Sequence, residues 1–277
     1  MRISNSKVDL FNTCSFKYKL RYIDKLKVNK TFSALLFGTA CDHAFNYLLL
    51  RKKRNKVVHA DTAKALFLKY MSEWDGSNEL VFFKSELPAD DFYEDDHAGN
   101  QDRCFAYLCS LGQMFIDTYI EEILPLFKRI IKVQVKKVIK NQLEDEFVLV
   151  VDFLAEMPDG RIILFDNKTT SDIKKQYPKT AVRKSQQLAL YVEYEINKLA
   201  GYICLQKKLV DGKVVWSHII DEVPEEQSEK AFETLDKALS DIKAEKFDKN
   251  EKSCYKFGKP CEYWNFCKYG NKKDLKE

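Results

Sequence analysis

Residues 147–191 read FVLVVDFLAEMPDGRIILFDNKTTSDIKKQYPKTAVRKSQQLALY, and the parsing of this stretch decides the fold. Two apolar runs, Phe147–Val151 and Ile162–Phe165, flank Pro158-Asp159-Gly160, which has tight-turn chemistry. Each run delivers a carboxylate at one end, Asp152 or Asp166, and Lys168 stands two residues beyond Asp166 on the same strand face. A hairpin over 146–155 and 161–167 therefore sets two acids and an ammonium together. Hard Mg2+ or Mn2+ takes oxygen ligands, so Asp152 and Asp166 suit one or two such ions, while Lys168 suits orienting a water and offsetting charge in phosphodiester hydrolysis. Asp-x-Lys alone is weak, because a strand end meeting solvent gives the same triplet. Two acids and a lysine at the ends of apolar strands are a stronger signal, since burying them requires compensation that a metal supplies.

Working outward, a helix is predicted over 180–199, with Gln187 and Tyr191 one turn apart on one face and Gly201 closing it. Strands are predicted at 129–138, where Ile131, Val133 and Val135 alternate with Lys132, Gln134 and Lys136, at 202–206 and at 213–220. The lysines of the first strand suit either phosphate tracking or protection of a sheet edge. Upstream, a helix over 36–54 carries Leu36, Ala40, His43, Tyr47 and Leu50 as one stripe, so His43 is expected to point inward. On the residues alone His43 reads as a core histidine. Helices at 61–74 and 101–127, with the acidic Pro88-containing segment 85–96 between them, read as a helical insertion over 55–126. A charged helix at 224–246 completes the body. The expected organisation is one domain over 1–277: N-terminal helices (1–54), insertion (55–126), core (127–220), and a final helix with a cysteine-rich segment (221–277).

The chain has 277 residues, with 46 Lys and Arg against 42 Asp and Glu, a formal charge of +4. Any nucleic-acid footprint must therefore be a local patch and not a global field. The N-terminus lacks the apolar run of a signal peptide and no stretch is apolar enough to span a membrane, so a cytoplasmic protein is expected. In a reducing compartment the eight cysteines are expected as thiols or metal ligands. Cys254-x6-Cys261-x5-Cys267 crowds a polar, aromatic tail and supplies three ligands, so a tetrahedral zinc or a [4Fe-4S] cluster needs a distant fourth, for which Cys14 is the natural candidate.

With Asp152, Asp166-x-Lys168 and Gln187-x-x-x-Tyr191 in this order, the chain resembles the RecB-like nucleases of the PD-(D/E)XK superfamily. The resemblance implies an α/β fold with a restriction-endonuclease-like αβββαβ core around a mixed central sheet. Gly38-Thr-Ala-Cys-Asp-His43 is similar to the family's segment bearing a ligand histidine. It implies His43 as a metal ligand beside Asp152, Asp166 and the Asn167 main-chain carbonyl, and an imidazole tilts such a site toward Mn2+ over Mg2+. Gln187 and Tyr191 are implied to contact substrate and buttress Asp152, Asp166 and Lys168. Leu149 departs from the pattern, where many relatives carry glycine.

One cysteine before the core and three after it resemble the iron-sulfur branch, which includes AddB-type and CRISPR-associated exonucleases. That implies a [4Fe-4S] cluster on Cys14, Cys254, Cys261 and Cys267 that staples the two ends of the chain, ahead of Zn2+. The first cysteine gap is longer than the Cys-x2-Cys often seen there. The function implied is a Mn2+- or Mg2+-dependent deoxyribonuclease, an exonuclease on single-stranded DNA or duplex ends in recombination, repair or replication. A noncatalytic DNA-binding or partner-docking module is the rival expectation. With no Gly-x-x-x-x-Gly-Lys-Ser/Thr loop, unwinding falls to a separate helicase or recombination partner.

Overall fold

The structure, a computed structural model, describes residues 1–74, 76, 78–83, 101–140, 145–192, 198–255, 258–270 and 275. The acidic segment at 85–96 lies outside these residues. Strand β1 (Arg2–Ser4) leads into helices α1 (Asn5–Thr13) and α2 (Ser15–Tyr18), the latter running on as a π-helical turn to Ile23. A short β2 (Lys30–Phe32) precedes the long α3 (Ser33–Lys53), followed by α4 (Ala60–Met71), β3 (Glu79–Val81) and α5 (Gln101–Thr118). Strands β4 (Arg129–Lys140), β5 (Glu146–Glu156) and β6 (Ile162–Thr170) come next, then α6 (Ile173–Gln176) and α7 (Gln186–Val192). Strands β7 (Leu199–Val210) and β8 (Lys213–Glu222), then α8 (Glu225–Lys243) and α9 (Trp264–Tyr269), complete the described elements.

The series α3, β4, β5, β6, α7, β7 is the expected αβββαβ order, and the central sheet is mixed. β4 lies antiparallel to β5 along its length. The other edge of β5 is shared: β1 runs parallel to its first residues, from Arg2 against Glu146 to Ser4 against Val148, and β6 runs antiparallel to its last. β6 and β7 are parallel, from Leu164 against Ala200 to Thr170 against Gln206, and β8 closes the sheet as an antiparallel neighbour of β7. β6 and β7 are near-continuous buried runs, as befits inner strands covered on both sides. β1 and the parallel pair β2–β3 escape sequence reading, because three residues are too few to show alternation.

Two buried clusters sandwich the sheet. In one, Phe37 and Phe45 of α3, Phe67 of α4 and Phe115 of α5 pack with Phe153, Phe165 and Ile203. Residues 55–126 thus supply much of this core through α4 and α5. In the other, Val8 of α1, Leu188 of α7 and Leu235 and Leu239 of α8 meet Leu149, Val151 and Leu164. Val151 and Phe153, two apart on β5, bury in different clusters, so strand alternation breaks at Asp152. Directly opposite, Gln134 has φ +51°, a left-handed backbone that non-glycine residues rarely adopt.

Three sequence expectations change. The buried face of α3 is Phe37, Ala40, Cys41, Ala44, Phe45, Leu48 and Leu49, whereas His43 is exposed, because the apolar stripe lies one position round from the one predicted. The helix expected over 180–199 begins only at Gln186, since residues 179–184 form turns after Pro178 and Leu199 already belongs to β7. Gly201 consequently closes no helix. It lies in β7, where a Cβ would sit 2.8 Å from the Ile219 carbonyl oxygen and 2.9 Å from Cε1 of Phe165. Among the described residues no helix is long and apolar enough to cross a membrane.

Candidate active site at the fork of two strands

Pairing between β5 and β6 ends at Phe153 against Phe165. Asp152 and Asp166 are the next residue on each strand, so both carboxylates stand where the strands part. The main-chain amide of Asn167 donates to Asp152 Oδ2 at 2.9 Å, replacing the ladder bond that the parting removes. The other Asp152 oxygen accepts from the Gln134 amide at 3.4 Å, and that amide also reaches Asn46 Oδ1 at 3.3 Å.

Asp166 is buried, and its Oδ1 accepts from Gln187 Nε2 at 3.0 Å. Lys168 Nζ lies 2.6 Å from Asp166 Oδ2, yet that oxygen receives no donor in hydrogen-bonding orientation. The ammonium also donates to Gln187 Oε1 at 3.2 Å, and Gln187 Nε2 donates to the Tyr191 hydroxyl at 2.8 Å. Gln187 therefore grips Asp166 and Lys168 together, while Tyr191, one turn along α7, fixes the amide. The Asn167 side chain points elsewhere and accepts from the buried Tyr119 hydroxyl at 3.1 Å.

The helix face toward the fork is not the one predicted. His43 stacks flat on Tyr70 of α4, with ring centroids 3.5 Å apart and planes within 2°. The face that turns to the strands carries Gly38, Asp42 and Asn46, spaced by four. At Gly38 a Cβ would lie 3.7 Å from Thr169 Oγ1, and Asn46 shares the Gln134 amide with Asp152. Between them, Asp42 feels the charges of Asp166 and Lys168. The structure thus brings Asp42 to the carboxylates in the place foreseen for His43. Its signal in the sequence was the row of small and polar residues, 38, 42 and 46, along an otherwise apolar helix.

Electrostatically the site is a crowd of like charges. Asp42 stays exposed at the edge of the site, yet crowding by the surrounding protein, then Asp166, pushes its carboxyl up to about 7, against the opposing pull of Lys168. Burial, then Asp166 and Asp42, hold Asp152 well above the usual carboxylate range, despite the Asn167 amide. Burial alone would lower the Lys168 ammonium, but the Asp166 charge beside it prevails and keeps it protonated. Burial followed by Asp166 raises the Tyr191 phenol, leaving it neutral. Asp42, Asp152, Asp166 and the Asn167 carbonyl are the oxygen donors that could hold a divalent cation. Among the described residues no three His, Cys, Asp or Glu side chains already stand in a ligand arrangement, here or elsewhere.

The four cysteines foreseen as ligands line one groove, though among the described residues no three of them stand in a ligand arrangement. Cys14 caps α2, its sulfur accepting from the Lys17 amide at 3.4 Å, and the Cys261 amide donates to the Cys254 carbonyl at 2.8 Å. Burial raises the Cys254 thiol, and Cys267 and Cys14 raise it further. Cys261 is pushed up to about 11, first by burial, with Lys17 opposing and Cys254 adding. All eight cysteines are free; these four and Cys109 are half-buried, whereas Cys41, Cys104 and Cys204 are buried. The two chain ends are joined without them: Ser15 Oγ donates to the Asp248 carbonyl at 3.1 Å and accepts from the Asp248 amide at 2.7 Å, and Asn250 Nδ2 donates to the Thr13 carbonyl at 2.8 Å.

No curated protein matches the chain. Among solved structures, one titled "Crystal structure of SSO0001" aligns over 76% of this chain and 75% of that one, at 10% identity and a TM-score of 0.30. A sequence profile described as the PD-(D/E)XK nuclease superfamily matches residues 2–268, from β1 through α9 and with the whole fork inside it. Nearly the full chain being covered, it belongs to the PD-(D/E)XK nuclease superfamily.

Proposed function

We propose that this chain is a divalent-metal-dependent deoxyribonuclease, an exonuclease acting on single-stranded DNA or duplex ends in recombination, repair or replication alongside a separate helicase or recombination protein. The observation that carries the reading is the fork, where Asp42, Asp152 and the buried Asp166 are gathered beside a protonated Lys168, and the carboxyls of Asp42 and Asp152 are held above their ordinary range. Three carboxylates crowded together resist joint ionisation, and a divalent cation is the common relief. The donor set fits Mg2+ or Mn2+: Asp42, Asp152, Asp166 and the Asn167 carbonyl would hold it, and with oxygen ligands alone the imidazole argument for Mn2+ lapses. When bound, the ion would polarise the scissile phosphate and acidify a water.

Lys168 then supplies a positive charge where negative charge builds on the phosphate oxygens. Gln187 holds Lys168 and Asp166 in register, and Tyr191 locks Gln187. Cys14, Cys254, Cys261 and Cys267 would hold a [4Fe-4S] cluster with a structural role. The support is that all four line one groove and that Cys254 feels the charges of Cys267 and Cys14.

Digestion of end-labelled DNA, single- and double-stranded, linear and circular, in Mn2+ and in Mg2+ tests the enzyme. Wild type should degrade forms with ends, and Asp166→Ala should not. Inertness of both proteins on every form would leave a noncatalytic DNA-binding module, and equal residual cleavage would identify a contaminant. Anaerobically purified protein should be brown, with visible absorbance lost in Cys261→Ser. Colourless protein carrying stoichiometric zinc would sink the iron assignment.

A further inference from the structure

Beyond the fork runs a groove of about 1830 Å3 that the fork carboxylates do not line. Cys14, Cys254, Cys261 and Cys267 line its far part, where the cluster proposed above would sit, and the remainder is open to another ligand. It begins at Thr169, Thr170, Ser171 and Asp172, directly after Lys168, and reaches the cysteine segment. Asp152, Asp166 and Lys168 do not line it, so it is an approach to the fork and not the fork itself. Gly38, whose added Cβ would lie 3.7 Å from Thr169 Oγ1, is one turn before Asp42 on α3, which joins the groove to the carboxylates.

The lining is chemically divided. Its charged side chains are eight Lys or Arg against Asp172, Glu251 and Glu262, an excess of five that exceeds the +4 of the whole chain. Arg21, Lys175, Lys207, Lys208, Lys249 and Lys259 come from four separate parts of the chain, so the charge is assembled by the fold. Apolar surface comes from other elements: Phe32 of β2 stacks on Phe83, with ring centroids 5.7 Å apart and planes at 22°, and Leu35 at the start of α3 is 61% exposed. A second cavity of about 510 Å3 shares Arg21, Phe32 and Leu35 and adds Lys25, Lys27 and Lys30, continuing the same two-part lining.

Cations together with half-buried aromatic and exposed aliphatic side chains match a polyanion whose bases are uncovered. In a duplex the bases are paired and stacked inward, and the apolar surface would have no counterpart. We propose that this groove binds single-stranded DNA, its phosphates on Arg21, Lys175 and Lys208 and its bases against Phe32, Leu35 and Phe83, and delivers the strand past Thr169 to the fork. The proposal rests on the nuclease reading above and deepens it by assigning the strand form.

The test measures anisotropy of labelled dT12, a matched hairpin duplex and rU12 with the full chain in EDTA, which prevents cleavage. Lys175→Glu/Lys208→Glu should weaken dT12 binding at least tenfold and flatten its salt slope by about 1.4, from two lost phosphate contacts. Leu35→Ala/Phe83→Ala should weaken dT12 binding with the salt slope intact. Both lysines are exposed; should the charge reversal unfold the chain, Lys208→Ala with its smaller slope change of about 0.7 takes its place. Wild-type affinity for dT12 in both variants, or duplex binding as tight as dT12, overturns the groove assignment, and tighter binding of rU12 overturns DNA. Cleavage in Mn2+ separates the two readings: variants that bind and cut like wild type refute the groove alone. Absent cleavage with groove-dependent dT12 binding refutes the nuclease alone.

Discussion

Replacing Asp42 by Asn removes one charge from the fork while keeping its shape, and the pH dependence of stability reports the result. Asp42 rises from 3.8 to about 7 in the folded chain. The folded state then holds a proton that the unfolded state has released between these values, so metal-free protein loses stability as pH rises from about 4 to about 7 and is level above. About three units correspond to about 4 kcal/mol at ~1.36 kcal/mol each, and the exposure Asp42 retains roughly halves this through screening. About 2 kcal/mol in a chain of this length is a melting shift of about 4–8 °C.

In EDTA, wild type should therefore melt several degrees lower at pH 7.5 than at pH 4, and Asp42→Asn should show a distinctly smaller drop. Added Mn2+ should restore wild type at pH 7.5, where the acids are ionised, and restore the variant less. His43→Gln should keep the Mn2+ response, because its ring faces Tyr70. Parallel pH slopes for wild type and Asp42→Asn, or loss of the Mn2+ response in His43→Gln alone, would refute the placement of Asp42 at the metal and return that role to His43.

Two further substitutions probe the scaffold. Gly112 of α5 abuts Phe67 so closely that a Cβ would lie 2.0 Å from the ring, so Gly112→Ala should destabilise the chain by about 1–3 kcal/mol in urea melts. An unchanged midpoint would mean that α4 and α5 are not packed there. Gln134→Gly relieves about 1–2 kcal/mol of left-handed backbone strain against about 0.4–1 kcal/mol of added unfolded-state entropy, yet it strips Asp152 and Asn46 of their shared donor. Its nuclease rate should fall even if its melting temperature rises, and unchanged rates would make Gln134 a bystander.

The parts of the site legible in sequence are those that a single strand or turn encodes. Asp152, Asp166 and Lys168 followed from apolar runs ending in charge, and Gln187 and Tyr191 from one-turn spacing. The outward placing of His43 was not legible because the stripes 36-40-43-47 and 37-41-44-48 differ by one residue in a helix rich in apolar side chains, and only packing against α4 decides between them. The break in alternation at Asp152 was hidden because it depends on the partner strand, through Gln134. The shortened α7 reflects turns after Pro178, where a helical pattern alone overran the true start.

The bonds between Ser15 and Asp248 span 233 positions, and those from Asn250 to Thr13 span 237. Contacts so distant in sequence are late events, since closing long loops precedes any gain from them. During synthesis, Cys14 emerges long before Cys254, Cys261 and Cys267 and must wait unpaired until the sheet between them exists. Any cluster built on these thiols is thus inserted into a nearly finished protein, and the supply of iron and sulfide would set the pace of maturation without governing whether the fork assembles.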